Sequence, residues 1–206
     1  MRKDFPLFQT HLDFVRPFWE KILDQEGSVI DATLGNGKDA LFLYRLIRKN
    51  QSDAKLYAFD IQDLALEKAK EHFDSEEPGW LEESVVFFKA SHDRFEDFQF
   101  NHPVVLIVYN LGFLPGGDKL KTTMRKTTLD SLESALSLIA PGGMVSLTCY
   151  PGHEEGAEEE KAVYEFLKIC PKDTFSITRH EFVNRLKAPV VYFIQKKCQK
   201  APDSTT

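Results

Sequence analysis

Long apolar runs are missing from this sequence. No stretch approaches the roughly 18 uninterrupted apolar residues of a membrane span, and the opening MRKDFPLFQTHLDF holds no apolar segment of the kind a secretory leader carries. A soluble, cytoplasmic protein with no membrane partner is expected. Cysteine is scarce as well: Cys149, Cys170 and Cys198 are the only three. They lie far apart and form no C-x-x-C pair, so neither a disulfide framework nor a zinc site is suggested, and no metal is expected. Positive charge is in deficit, with 26 Lys and Arg against 32 Asp and Glu for a formal net charge of −6. That balance argues against a protein that coats nucleic acid by bulk electrostatics, while a local basic surface could still meet a phosphate backbone. No internal repeat is visible, and the one biased segment is EEGAEEE at 154–160. Its carboxylates suit the positive end of a helix better than a metal.

What is present is an alternation. Runs rich in β-branched and aromatic residues, near 28–33, 55–60, 85–89, 104–110, 143–149, 174–182 and 189–196, read as strands. Helix-period segments near 10–25, 38–49, 63–73, 122–139 and 156–169 fill the gaps. This is the pattern of a Rossmann-like α/β fold, a mostly parallel sheet with helices on both faces. Only NRLKA separates the last two strands, too little for a crossover helix, so they should form an antiparallel hairpin. Six strands running one way and one reversed are expected, in a single domain over 1–200 with a disordered tail at 201–206. Phe14, Phe18, Trp19 and Phe42, at helical spacing, are assigned to the core.

One turn carries more information than the rest. VIDATLGNGKD, residues 29–39, runs from an apolar strand into a helix, and Gly35, Gly37 and Ala40 satisfy G-x-G-x-x-A. Asp60 ends the next strand, where a carboxylate can accept from ribose hydroxyls. These features alone fit a nicotinamide cofactor equally well. Asp31 separates the two, because a carboxylate at the mouth of the turn repels a pyrophosphate but attracts the ammonium and sulfonium charges of S-adenosylmethionine. Candidate donor contacts are therefore Asp31, Thr33, Gly35, Asn36, Gly37 and Asp39 in the turn, and Asp60, Ile61 and Gln62 after the second strand. Helix or turn capping is the competing role for Asp31 and Asp60. Beyond the third strand, His92 or Asp93 could meet the adenine amino edge, or simply cap a helix.

The fourth strand leaves its apolar run at Asn110 and enters LGFLPGGDK. A carboxamide, free carbonyls and an aromatic ring thus stand where the sheet opens. An amide oxygen can accept from an amine N–H and aim the nitrogen lone pair, while Phe113 can stack on a base. Asn110 is assigned to both donor contact and catalysis, with an ordinary Asn-Gly turn as the alternative.

Taken together, DATLGNGKD, FDIQ, NLGFLPGGDK, YPGH and the closing hairpin resemble the family of tRNA 5-(aminomethyl)-2-thiouridine methyltransferases, the YtqB/MnmM type formerly labelled rRNA methylases. The resemblance covers nearly the whole chain, and its central loop is the most specific part. It implies a class I S-adenosylmethionine-dependent enzyme that methylates the aminomethyl group of the wobble uridine, position 34, in the tRNA anticodon stem-loop. It also implies substrate contacts from Leu111, Gly112, Pro115, Gly116, Gly117 and Lys119 in the loop, from Tyr150, and from Asn184 and Arg185 in the hairpin. Leu34, Lys38 and Ala40 stand where a small residue, His and Thr are usual, and Phe113 replaces a more usual Tyr, keeping the ring and losing a hydroxyl.

An alkylamine must shed a proton before it attacks, and Asn110 is a poor base. His153, just past the fifth strand, is the candidate base, with a backbone-bonded turn histidine as the alternative. Lys119, Lys121, Arg125, Lys126, Arg179, Arg185 and Lys187 could hold phosphates, or could be ordinary solvated charges. The function expected is methylation of a tRNA amine. Alternatives are methylation of an exocyclic amine of rRNA or of a small metabolite, and a nucleotide-binding module without activity. A second copy of the chain, as a homodimer, is a candidate partner.

Overall fold

The structure, a computed structural model, describes residues 10–50, 53–112, 125–185 and 187–199. Its first element is α1 (His11–Ile22), whose start is set by a capping box: the Thr10 hydroxyl accepts from the Asp13 N–H while the Asp13 carboxylate accepts from the Thr10 N–H. Then follow β1 (Ser28–Asp31), α2 (Lys38–Asn50), β2 (Leu56–Asp60), α3 (Asp63–Glu76), β3 (Val85–Lys89) and β4 (Val104–Asn110). The chain continues through α4 (Arg125–Leu138), β5 (Met144–Cys149), α5 (Glu154–Lys168), β6 (Phe175–His180) and β7 (Val190–Lys196).

The strands form one sheet in the order β3-β2-β1-β4-β5-β7-β6. β1 to β5 pair in parallel, and β7 runs antiparallel to both β5 and β6, so β7 is the reversed strand. The expected Rossmann-like methyltransferase sheet is therefore observed, with the hairpin entering as β5-β7-β6. Two short 3-10 segments, Glu82–Ser84 and His92–Asp97, have no counterpart in the sequence reading, being too short to show a helical period. Helix α5 begins at Glu154 rather than 156, and its acidic residues fill the first turn as expected. Expectations for 113–124 and for the tail at 201–206 lie outside the described residues.

Alternation along the strands divides the core in two. Val29, Leu56, Ala58, Val85, Leu106 and Val108 face α1, α2 and α3, whose Val15, Trp19, Leu43, Ile47 and Phe73 complete that layer. Ile30, Phe59, Ile107, Tyr109, Val145 and Leu147 face α4, α5 and the segment around Phe95. A fully buried side chain such as Phe73 contributes about 1.5–3 kcal/mol. Among the aromatics assigned to the core, Trp19 is buried and Phe14 and Phe42 pack against the same layer, while Phe18 stays partly exposed against Phe193. The same alternation matters for the site: Asp31 follows Val29, Asp60 follows Ala58 and Asn110 follows Val108, so all three strand-end groups share the face covered by α1 to α3.

The glycine turn is held against α3 at one point. Gly37 has φ +73°, and a Cβ on it would meet the Ala69 Cβ at 2.8 Å and Cα at 2.9 Å. Gly37→Ala should therefore lower stability by about 1–3 kcal/mol through overpacking against helix backbone, measured by urea unfolding. An unchanged midpoint would mean that α3 can retreat from the turn.

Candidate functional site

Three strand ends and one helix start converge at the carboxyl edge of the sheet. β1 ends in Asp31, a fully buried carboxyl. Its Oδ1 accepts from the Thr33 N–H at 3.1 Å, and its Oδ2 finds no partner among the described residues. Burial, reinforced by Asp39 and Asp60, pushes its pKa up to about 8, so this group is protonated at neutral pH until a cation approaches. Asp60 uses both oxygens on backbone: Oδ2 accepts from Gly35 N–H at 3.0 Å and Oδ1 from Gln62 N–H at 2.9 Å. It thus ties the glycine turn to the start of α3, while the N-cap of that helix is Gln62. Burial raises the Asp60 pKa as well, against the pull of those N–H groups.

The turn itself is tight. Gly35 and Gly37 both have positive φ, the Gly37 N–H donates to the Leu34 carbonyl at 2.9 Å, and the buried Asn36 Oδ1 has no partner among the described residues. A carboxyl oxygen, an amide oxygen and a glycine cradle left unsatisfied in one place suit a ligand with a cationic end and hydroxyls.

Asn110 stands at the centre. Its backbone N–H donates to Thr33 Oγ1 at 2.7 Å and its Nδ2 donates to Asp39 Oδ2 at 2.8 Å. The second bond decides which way the carboxamide points, because a carboxylate accepts only from the NH2 side. Asn110 Oδ1 is turned the other way, 3.4 Å from the Tyr150 hydroxyl. Burial raises the Asp39 pKa, while the Arg16 guanidinium, 3.6 Å from its Oδ1, and Asn110 pull it down. Arg16 also lies over the Phe42 ring, 4.4 Å from its centroid. Tyr150 in turn meets His11 Nε2 at 2.9 Å. A continuous chain of contacts, Arg16–Asp39–Asn110–Tyr150–His11, thus crosses the mouth of the sheet.

The other expected contacts fall into three groups. Ile61 is exposed beside Asp60 and available to a ligand face. Gly112, with φ +141°, borders Tyr150: a Cβ on it would lie 3.9 Å from the ring Cδ2. His92 and Asp93 sit in the 3-10 segment beyond β3; His92 is buried edge-on to Tyr109, and burial pulls its pKa down to about 4. His92 Nδ1 and Asp93 Oδ1 lack partners among the described residues. In the hairpin, Asn184 is exposed and the Arg185 guanidinium lies 4.3 Å from the Phe182 centroid. The Lys187 carbonyl would lie 3.7 Å from a Cβ on Gly152, which brings the hairpin to the mouth. Phe113, Pro115, Gly116, Gly117, Lys119 and Lys121 lie outside the described residues.

Three expectations need correction. Leu111 is buried in the core with Ile107 and Leu147, because its N–H continues the ladder to the Thr148 carbonyl, so its side chain does not reach a substrate. His153 is the N-cap of α5: its Nδ1 accepts from the Gly156 N–H at 3.1 Å and also lies 3.2 Å from Glu155. That is the backbone-bonded histidine anticipated as its alternative, and a nitrogen so employed is not a ready base. Arg179 is committed to Glu160 and Glu181 and is not a spare phosphate contact. What the sequence reading missed is α1, whose His11 and Arg16 enter the site. The signal was there: His11 shares the i, i+4, i+8 face of Val15 and Trp19, the two buried residues of that helix.

The Asp31 pKa has a consequence for stability. Its folded value, about 8, exceeds the ordinary 3.8, so the stability it contributes is present below pH 3.8 and lost as pH rises through 8. Asp31→Asn should therefore gain on the parent as pH rises, at about 1.4 kcal/mol per unit in that window. Thermal unfolding of both proteins without ligand from pH 5 to 9 measures it, and parallel curves would mean an ionised Asp31.

Comparison with known proteins accords with this geometry. A tRNA (mnm(5)s(2)U34)-methyltransferase, chloroplastic, of Arabidopsis thaliana is 34% identical over 182 residues, 87% of this chain; the chain spans 66% of that relative's length. A crystal structure of a "putative rRNA-methylase" from Clostridium thermocellum superposes with TM-score 0.83 at 29% identity, covering 92% of this chain and 98% of that one. A "putative methyltransferase" of Streptococcus mutans in complex with SAH gives TM-score 0.77 at 27% identity, over 90% and 97% of the two chains. The family model described as "Putative rRNA methylase" matches residues 56–196, a span that takes in Asp60, Asn110, Tyr150 and the β5-β7-β6 hairpin, and the chain belongs to that family.

Proposed function

We propose that this protein is an S-adenosylmethionine-dependent N-methyltransferase of tRNA whose acceptor is the aminomethyl group of 5-aminomethyl-2-thiouridine at wobble position 34. The observation that carries this reading is the Asn110 carboxamide, turned by Asp39 so that its oxygen faces the mouth beside Tyr150. An acceptor oxygen at that point suits a nucleophile that arrives bearing N–H bonds. The name of the Arabidopsis relative supports the acceptor, and the SAH complex of the Streptococcus protein supports the donor.

The residues fit the donor. Asp31 Oδ2 and Asn36 Oδ1, buried without partners among the described residues, would hold its cationic end, and Asp60 beside exposed Ile61 would hold its ribose and base. When bound, the donor supplies a methyl carbon made electrophilic by sulfonium. The protein's part is alignment: Asn110 Oδ1 accepts from the amine and directs its lone pair, a kind of positioning for which effective molarities of ~10⁵–10⁸ M are reached. Arg125 and Lys126, exposed at the start of α4, and Arg185 offer charge to the anticodon-stem phosphates. An exocyclic amine of rRNA would meet the same acceptor oxygen and is the second reading, favoured by the family description.

Mass spectrometry of nucleosides from tRNA and rRNA treated with the purified protein tests the acceptor. Conversion of aminomethyl- to methylaminomethyl-thiouridine is expected, and methylation confined to rRNA would overturn the tRNA reading. In single-turnover assays Asn110→Ala should lower the rate by roughly 10²–10⁴-fold with donor binding retained; a wild-type rate would remove Asn110 from the site. Donor binding near pH 7 should also release a proton, because a cation beside Asp31 brings its pKa down from about 8. Calorimetry in buffers of different ionisation enthalpy reads that proton.

A further inference from the structure

The contact chain at the mouth contains one hydroxyl proton with two claimants. Tyr150 can donate to His11 Nε2 at 2.9 Å or to Asn110 Oδ1 at 3.4 Å, but not to both. O–H donors bond at about 2.5–3.0 Å, so the longer contact is a poor bond and the shorter one takes the proton. That choice requires His11 Nε2 to be an acceptor, hence a neutral ring. Burial supplies the neutral ring: it pulls the His11 pKa down to about 4, with Asp13 opposing and Arg16 acting in the same direction, and the Tyr150 contact selects the tautomer with Nε2 bare. The ring also meets Tyr150 edge-on, at 5.5 Å between centroids and 89° between planes. Burial and the neighbouring Asp39 raise the Tyr150 pKa, so its hydroxyl stays protonated and acts through direction, not charge.

We propose that His11 is a positioning residue that holds the Tyr150 hydroxyl proton away from Asn110, so that Tyr150 Oη and Asn110 Oδ1 face the substrate amine as a pair of acceptors. The inference rests on the amine-acceptor reading above. Two acceptors 3.4 Å apart can take both N–H bonds of a primary amine, and with the C–N bond holding a further direction the lone pair is left to point at the methyl group. A hydroxyl nucleophile has only one hydrogen to give and cannot satisfy the pair, so the arrangement discriminates in favour of amines. Were His11 to donate instead, Tyr150 would turn its proton to Asn110 and occupy both oxygens at once.

Two measurements test this. Nitrogen NMR of the full-length protein, free of donor and tRNA, should show His11 Nε2 as an unprotonated ring nitrogen at neutral pH; a protonated Nε2 would overturn the proposal. Since that spectrum needs no substrate, it reads the hydroxyl direction even if aminomethyl tRNA proves not to be the acceptor. The second is a double-mutant cycle on the single-turnover rate. Tyr150→Phe should lower that rate by roughly 10–10²-fold, as for a lost bond to a group that acquires charge in the transfer, with little change in the tRNA concentration that half-saturates it. His11→Ala should lower it similarly in the parent and have no further effect in Tyr150→Phe, where no hydroxyl remains to be misdirected. A His11→Ala loss that persists undiminished in the Tyr150→Phe background would assign His11 to the docking of α1 alone and reject the proposal.

Discussion

Asp39 and Asn110 sit 71 positions apart in sequence, and the 2.8 Å bond between carboxylate and carboxamide joins the first turn of α2 to the end of β4. The rest of the mouth depends on that bond. It fixes which atom of Asn110 faces outward, it gives Arg16 of α1 a counter-charge, and through Asn110 it sets the oxygen that Tyr150 approaches. Remove the carboxylate and the amide is free to turn its NH2 to the mouth, where an amine would meet a donor in place of an acceptor.

Around this bond lies a crowd of buried carboxyl groups. Asp31, Asp39 and Asp60 crowd one edge of the sheet, each with its pKa raised by burial, and the cations Arg16 and Lys38 act on Asp39. A site optimised for stability alone would not keep three carboxyls so close with so little compensation. Such an excess makes sense where the missing positive charge arrives with a ligand, and the stability withheld from the free protein is then returned on binding.

Most of the sheet was readable because its strands are short apolar runs punctuated by Gly, Asp and Pro, and because NRLKA is too brief for anything except a hairpin. Asp31, Asp60 and Asn110 were readable for a related reason: each is a polar residue terminating an apolar run. The sequence does not reveal partners brought together by tertiary packing. Nothing in YPGH says that its tyrosine meets a histidine 139 positions earlier, nor that its histidine caps α5. Leu111 was misread because its loop context suggested exposure, whereas strand pairing to Thr148 carries it into the core. Arg179 looked free because its partners Glu160 and Tyr192 belong to other elements.

The position of β7 bears on how the chain acquires its structure. Among the described residues β6 hydrogen-bonds to the sheet through β7, which slots between β6 and β5 although it follows both in the chain. During synthesis, β1 to β5 and their helices can associate as they emerge, but the edge of β5 stays unpaired until residues 190–196 appear. An open strand edge rich in Val, Leu and Met is a template for pairing with another chain, and chain growth at about 5–20 residues per second leaves it open for seconds. The N–H and C=O groups of β5 that bind β7 thus stay open longer than those that bind β4, which is already made when β5 emerges.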